Sequence, residues 1–498
     1  MQSQPAPKFT LVTWLIIVIA SIGFLFDTYE LLMTPLVAAP AIAELLQVPQ
    51  NNPLVTAWVG RLLWISALCG GVFGLMGGWL VDRFGRKSIM AASIFVYSLS
   101  PFCAAYAPNL ATFVFFRSTT FIGVCVEFVA AITWLAEVFP DRRQKEKWLG
   151  ITQLFASLGG ILVTMISMRI SANIEHLWSF GLPLGLGSPL PSSWRYLLMT
   201  GILPAIPIAL LLPFVPESQV WKERRASGKL KRPSFAALFS PELRRVTIVT
   251  AILSACAYGV AFGALQITVA RVTPGLPEMK PQSIALAPLQ KEAKSLNTAL
   301  NELAKSDPGR VEILGKIKAN FGQQKPHNEK IKEYSDTVQL HQEMGGLVGR
   351  ILLAVLIIVG IQRVVLLKIF QIPLLIMVPL TYFVFFGMGG NTFLWAYGLC
   401  GLLTVGQFSY FGEYLPKVFP MHLRGTGGSF ATNVGGRMVG TSMALVTTNL
   451  VAPMIAGEGA VVMPLHIAQA AGGVATTIAV IALFAGLFLP EPKQEALE

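Results

Sequence analysis

Five ionisable residues of this chain stand inside long apolar runs, where water cannot solvate them. Asp27 and Glu30 lie in the run that starts near Leu11, Arg117 and Glu127 in the run that starts near Leu110, and Arg437 in the one that starts near Thr426. Such a charge is costly, so each is by default a candidate for moving protons or binding an ion. A carboxyl can take up and release a proton, while a guanidinium suits a carboxylate held by two parallel hydrogen bonds. At a rise of 1.5 Å per residue, Asp27 lies roughly 13 Å and Arg117 roughly 10 Å from the same ends of their runs, so they can meet at one level. An ionised Asp27 would hold Arg117 and a protonated one would release it; the bland reading is a buried structural pair. Glu30 is a second proton site, and Glu127 could receive the proton or serve packing alone. Arg437 falls roughly 17 Å in from Thr426, near mid-depth, where it suits an anionic group or neutralises an acid such as Glu413. Gln153, Gln266, Trp395, Tyr397 and Asn433 offer hydrogen bonds and aromatic faces at similar depth and are the candidate contacts to a small-molecule substrate, with helix packing the competing role for each.

The elements that carry these residues must be membrane helices. The chain has 498 residues, 54% of them hydrophobic and 13% charged, with a mean hydropathy of +0.62, which excludes a soluble globular domain. The net charge of +12 is distributed between apolar runs and not on one patch, so it points to a lipid bilayer surface and not to nucleic acid. Runs long enough to cross a ~30 Å hydrocarbon core begin near Leu11, Ala57, Ser88, Leu110, Trp148 and Tyr196, then near Val246, Leu347, Ile369, Asn391, Thr426 and Leu465. Twelve spans put both termini on one side. The basic loops after the even-numbered spans, such as Arg83 to Lys87 and Arg142 to Lys147, make that side cytoplasmic. The first run is too long for a cleaved signal, so it is expected to be retained as an anchor.

This organisation predicts a six-helix bundle over 1–215, a basic cytoplasmic linker over 216–245, a second bundle over 246–490 and a cytoplasmic tail over 491–498. A polar insertion, 274–344, interrupts the second bundle on the extracytoplasmic side. Within it Leu289, Ala293, Leu296, Leu300 and Leu303 recur at helical spacing, Asp307, Pro308 and Gly309 break the helix, and Val311, Leu314 and Ile317 resume it. The expectation is an external helical hairpin, serving as a lid, as a docking surface for a protein partner, or as a solvated appendage. The cysteines Cys69, Cys103, Cys125, Cys256 and Cys400 have no paired or metal-ligand spacing, no histidine falls mid-span, and there is no nucleophile elbow or phosphate loop. No enzyme activity, metal or cofactor is predicted.

Two motifs carry a family resemblance. After the second span come Gly78, Asp82, Arg83, Gly85, Arg86 and Lys87, in an order that resembles the signature loop of the major facilitator superfamily. Its glycines permit a tight turn and its acid and bases form an ionic latch; Gly70, Gly74 and Gly78 upstream form a ladder for close helix packing. Glu137, followed by Pro140, Arg142 and Arg143 after the fourth span, is echoed by Lys417, Pro420 and Arg424 after the tenth, and Pro216 and Glu217 after the sixth by Pro490 and Glu491 after the twelfth. These echoes are a six-helix repeat of the kind that places a site between two halves. The latch set is therefore Gly78, Asp82, Arg83, Gly85, Arg86, Lys87, Glu137, Arg143 and Glu217, with ordinary helix-end ion pairs as the overlapping alternative.

The resemblance implies an all-α membrane protein with the major facilitator fold, twelve transmembrane helices in two six-helix halves. Asp27, Tyr29 and Glu30 resemble the acid-x-aromatic-acid signature of aromatic acid:proton and metabolite:proton symporters, and Arg117, Gly123 and Glu127 follow those families' fourth-span pattern, except that Phe121 and Cys125 stand where glycines are usual. A glycine-arginine pair like Gly436 and Arg437 is similar to one found in organic-acid symporters. The expectation is proton-coupled symport of a small organic anion, with Asp27, Glu30, Arg117 and Glu127 as the coupling set. The rival is a sugar or neutral-metabolite porter, favoured by Pro216, Glu217, Ser218 and the Trp194–Arg195 pair; a transporter-like receptor ranks lower. No Asn-x-Ser/Thr acceptor occurs, which favours a bacterial inner membrane over a eukaryotic surface.

Overall fold

A computed structural model describes residues 10–50, 52–139, 142–227, 235–303, 308–420, 423–457 and 459–491. The first half contains α1 (Leu11–Leu46), α2 (Pro53–Phe84), α3 (Arg86–Ala105), α4 (Leu110–Val138), α5 (Arg142–Ala172) and α6 (Ser193–Phe214). The second contains α7 (Arg244–Gly275), α8 (Lys280–Glu302), α9 (Gly309–Ile358), α10 (Arg363–Met388), α11 (Gly390–Val418), α12 (Gly425–Ala456) and α13 (Pro464–Gly486). Helix α8 is the first arm of the hairpin; the other twelve are the spans. Eleven of them are long and apolar enough to cross a bilayer by length and composition, and the remaining one, α11, packs along α9. With every backbone polar group satisfied inside its own segment, helices are the economical way to cross hydrocarbon.

The repeat is visible in the packing. Helix α1 packs on α5 and α2 on α4 in the first half, as α7 packs on α12 and α9 on α11 in the second. The halves meet along two seams, α2 against α12 and α5 against α9, which the same pseudo-two-fold relation exchanges.

Close approach depends on glycine, though not at every expected position. A Cβ on Gly70 would strike the Phe121 ring, and one on Gly74 would lie 2.9 Å from Cys125 Cβ and 2.8 Å from Asn433. The space that α4 lacks at Phe121 and Cys125 is thus supplied by α2, and the helices still pack tightly. Gly78 departs from the expected ladder: nothing lies within 4 Å of its Cβ position, and Gly77 takes the contact, 3.4 Å from Val126.

The insertion forms two helical arms as its spacing predicts, with one difference. The second arm does not end before the eighth span; α9 runs unbroken for 50 residues from the hairpin into the bundle. The hairpin leans on the first half, because Gly187, with φ +71°, leaves room for the backbone of Lys318 and Gly322, and Lys325 Nζ donates to Ser188 Oγ at 3.0 Å.

Candidate transport site

Three places gather the ionisable residues: the end bearing the short basic loops, the centre, and the hairpin end.

At the first, Gly85 (φ +99°) makes the turn between α2 and α3, and a Cβ there would collide with Glu217. The Glu217 carboxylate accepts from the backbone N–H groups of Arg86 and Lys87 at 2.9 to 3.1 Å, capping the N-terminus of α3. The Arg86 guanidinium is buried and donates through Nε and Nη2 to Glu137 at 2.9 to 3.2 Å, and through Nη1 to the Val81 carbonyl at 3.0 Å; Ser218 Oγ donates to Glu137 at 2.6 Å. Arg83 lies over the rings of Trp79 and Phe84. The side chains of Asp82 and Arg143 lie outside the described residues. The second half repeats the helix cap of this arrangement: Glu491 accepts from Val364 N at 2.9 Å at the start of α10, as Glu217 does at α3.

In the centre, side chains from both halves enclose a cavity of about 100 Å³. Its wall includes Asp27, Gln266, Glu343, Arg350 and Arg437, among the aromatic rings of Phe24, Phe128, Tyr258, Phe262, Phe408 and Phe411. The Asp27 and Glu127 carboxyls lie within hydrogen-bonding reach of each other, and no N–H or O–H of the described residues points at their oxygens. Gly23, one turn before Asp27, makes the space for Glu127, since a Cβ there would overlap a carboxyl oxygen. Arg437 belongs to the second half but reaches α4: its Nη1 donates to Asn433 Oδ1 at 3.1 Å and to the Val124 carbonyl at 3.4 Å, its guanidinium sits 4.9 Å from the Phe128 ring centre, and Asp27 is a charged neighbour. The wide i→i+5 turns over Phe430–Gly440 turn Asn433 and Arg437 inward together.

The expected partner of Asp27 is not Arg117. Arg117 Nη1 is 3.6 Å from Glu30 Oε2, and its Nη2 donates to the Glu30 carbonyl at 2.9 Å and to Thr34 at 2.5 Å. Glu30 stands three residues beyond Asp27, just short of one turn and so on a neighbouring face, and that rotation decides the pairing. Among the expected substrate contacts, Gln266 and Arg437 line the cavity. Asn433 stands behind Arg437 and orients it. Tyr397 is buried one shell back, its hydroxyl 2.6 Å from the Leu265 carbonyl and 2.8 Å from Gln342 Oε1. Trp395 is 68% exposed on the outer face of α11, edge-on to His341, and does not reach the cavity. The Gln153 side chain lies outside the described residues. Sequence reasoning misses Glu343, which falls inside the 274–344 insertion, and Arg350, at the start of the eighth span; the signal is Asp336, Gln339, Glu343 and Arg350, which keep one helical face into the apolar segment.

At the hairpin end lies a larger cavity of about 820 Å³, bounded by α1, the hairpin, the α5–α6 loop and the end of α7. Glu44 accepts there from Ser192, from Trp194 Nε1 at 3.0 Å and from Arg195 at 2.9 to 3.1 Å, giving the Trp194–Arg195 pair a structural task. Arg271 of α7 crosses to the first half, donating to Thr56 Oγ1 at 2.6 and 2.9 Å and to the Gln50 carbonyl at 2.6 Å.

The family model of the Major Facilitator Superfamily matches residues 13–287, more than half of the chain. The chain belongs to that superfamily. Eleven of its helices are long and apolar enough to cross a membrane, and the relatives it matches are named as transporters. It is similar to a niacin transporter of Acinetobacter baylyi, 27% identical over 205 residues that cover 40% of each protein, and to a 4-hydroxybenzoate transporter of Pseudomonas aeruginosa, 31% identical over 35% of this chain and 36% of the relative. The matched stretches thus span less than half the length of these relatives. In fold the facilitator matches the xylose transporter of E. coli in a partially occluded inward-open conformation, at a TM-score of 0.64 and 14% identity over 97% of this chain and 100% of that one.

Proposed function

We propose that this facilitator is a proton-coupled symporter of a small aromatic carboxylate, working by alternating access in a bacterial inner membrane with both termini cytoplasmic. The observation that carries the reading is Arg437, a buried guanidinium at the edge of an aromatic-lined cavity, beside two carboxyls that have no donor of their own. An arginine over a ring face can hold a carboxylate while neighbouring rings cover an aromatic body. Niacin and 4-hydroxybenzoate, named in two relatives, are aromatic acids of that kind.

The coupling follows from charge. With Asp27 and Glu127 ionised, Arg437 is their counterion and is poorly available to a second anion. One proton held between the two carboxyls supplies the missing donor and frees Arg437, so proton and carboxylate favour each other's binding. Arg117, held by Glu30 and Thr34, keeps α1 and α4 in register beside this pair. Rocking of the halves along the α2–α12 and α5–α9 seams then exposes the cavity to one side or the other. The latch of Arg86, Glu137 and Glu217 stabilises one of these states.

Binding is tested with purified protein and nicotinate, 4-hydroxybenzoate, their uncharged amides, and xylose. The reading expects the acids to bind, the amides and xylose to bind at least about tenfold more weakly, and Arg437→Gln to remove the preference for the acids. Equal affinity for acid and amide would contradict anion recognition; xylose binding alone would favour a sugar porter.

A further inference from the structure

The α5–α9 seam carries a row of polar groups that the transport reading leaves unused. Lys332, Asp336, Gln339 and Glu343 lie on one face of α9, spaced four, three and four residues apart, and face Ser167, Thr164 and Gly160 of α5. Ser167 Oγ is 3.1 Å from each carboxylate oxygen of Asp336, and Lys332 Nζ is 3.1 Å from the nearer one and 2.6 Å from Ser167. Gln339 donates to Thr164 Oγ1 at 3.1 Å and to the Leu32 carbonyl of α1 at 3.2 Å. Glu343 accepts from Gln342 Nε2 at 2.9 Å and fills the space that Gly160 leaves open. All three of Asp336, Gln339 and Glu343 are buried.

The two acids open on different cavities. Asp336, with Lys332, lines the large cavity at the hairpin end; Glu343 lines the central one; Gln339 lies between them and lines neither. Seven residues separate the acids, about 10 Å along the helix. Hydroxyls and amides are enough to bond two helices, whereas buried carboxylates cost free energy that apolar packing would not.

We propose that this face of α9 is a proton path from the hairpin-end cavity to the central cavity, resting on the proton-coupled reading above. Asp336 takes a proton from water in the outer cavity and loosens its hold on Lys332. Gln339 is the seal, since its two bonds run from the second half to the first and break when the seam opens. Through the opened seam, past the Ser167 and Thr164 hydroxyls, the proton passes to the Glu343 carboxylate, and Asp336 returns to its ion pair. Around Asp336 the charged groups are Lys332 and Glu333 of its own helix, with Glu44, Arg271, Lys280, Lys325 and Glu329 on the wall of the same cavity. Glu343 faces Arg350 of its own helix and Tyr397 of α11, with Asp27, Tyr258 and Arg437 on the wall of the same cavity.

The test uses full-length protein in proteoliposomes with a pH dye in the lumen and labelled 4-hydroxybenzoate outside. Two activities are compared: accumulation driven by an inward proton gradient, and exchange of labelled for unlabelled acid at equal pH, which needs no net proton movement. Asp336→Asn is expected to lose gradient-driven accumulation and the accompanying dye signal while retaining exchange, Glu343→Gln to lose accumulation, and Asp336→Glu to restore it. Accumulation unchanged in both neutral variants overturns the path while leaving proton coupling intact. Loss of accumulation and exchange together, unrestored by Asp336→Glu, also overturns it, as a structural role. Wild-type protein indifferent to the gradient overturns the proton-coupled reading and the path with it.

Discussion

Replacing Glu137 with Gln removes the anion that receives Arg86 without changing side-chain size. The carboxylate accepts three contacts from the guanidinium and one from Ser218, while Arg86 is only 3% exposed; a Gln amide oxygen can still accept from it but no longer balances its charge. Removing one member of a buried pair costs about 3 to 5 kcal/mol, and because Glu137 is 13% exposed the lower figure, ~3 kcal/mol, applies. If the latch forms in one transport state and breaks in the other, that cost shifts their ratio by roughly 150-fold toward the unlatched state. Spin labels at the exposed positions Ser88 and Val359, one per half at the latch end, read this as a longer distance in Glu137→Gln. Uptake should fall because the cycle stalls in one state. A lower melting temperature with an unchanged distance distribution and unchanged uptake would refute the latch and leave a helix-end ion pair.

Other consequences are local. Gly23→Ala drives a methyl into the Glu127 carboxyl and should cost about 1 to 3 kcal/mol of stability together with most uptake; Gly78→Ala meets open space and should stay within about 0.5 kcal/mol, both read by thermal unfolding. Gly187→Val strains a left-handed backbone and strikes the Gly322 backbone, so hydrogen exchange over residues 310–330 should quicken while the spans remain protected.

Much of the fold is legible because a bilayer leaves few alternatives to apolar helices, and the cluster of Arg86, Glu137 and Glu217 because each stands in a motif at the end of a span. Depth along a helix is also readable from rise alone. Rotation about the axis is not: Asp27 and Glu30 differ by less than one turn in depth, and only the packed faces of α1 decide that Glu30 takes Arg117 while Asp27 turns to Glu127 and Arg437. The same limit placed Trp395 inward when its face of α11 points out. Hydropathy also hid the continuity of α9, because one helix passes from a polar hairpin into the bundle with no break at Met344. The reach of Arg437 across to α4 joins the two halves at one site, which neither half's sequence announces.

The most direct test is uptake of labelled 4-hydroxybenzoate into proteoliposomes with and without an inward proton gradient, in wild type and Asp27→Asn. The account predicts accumulation that requires the gradient in the wild type and is lost in Asp27→Asn. Uptake that ignores the gradient and survives Asp27→Asn unchanged would contradict it.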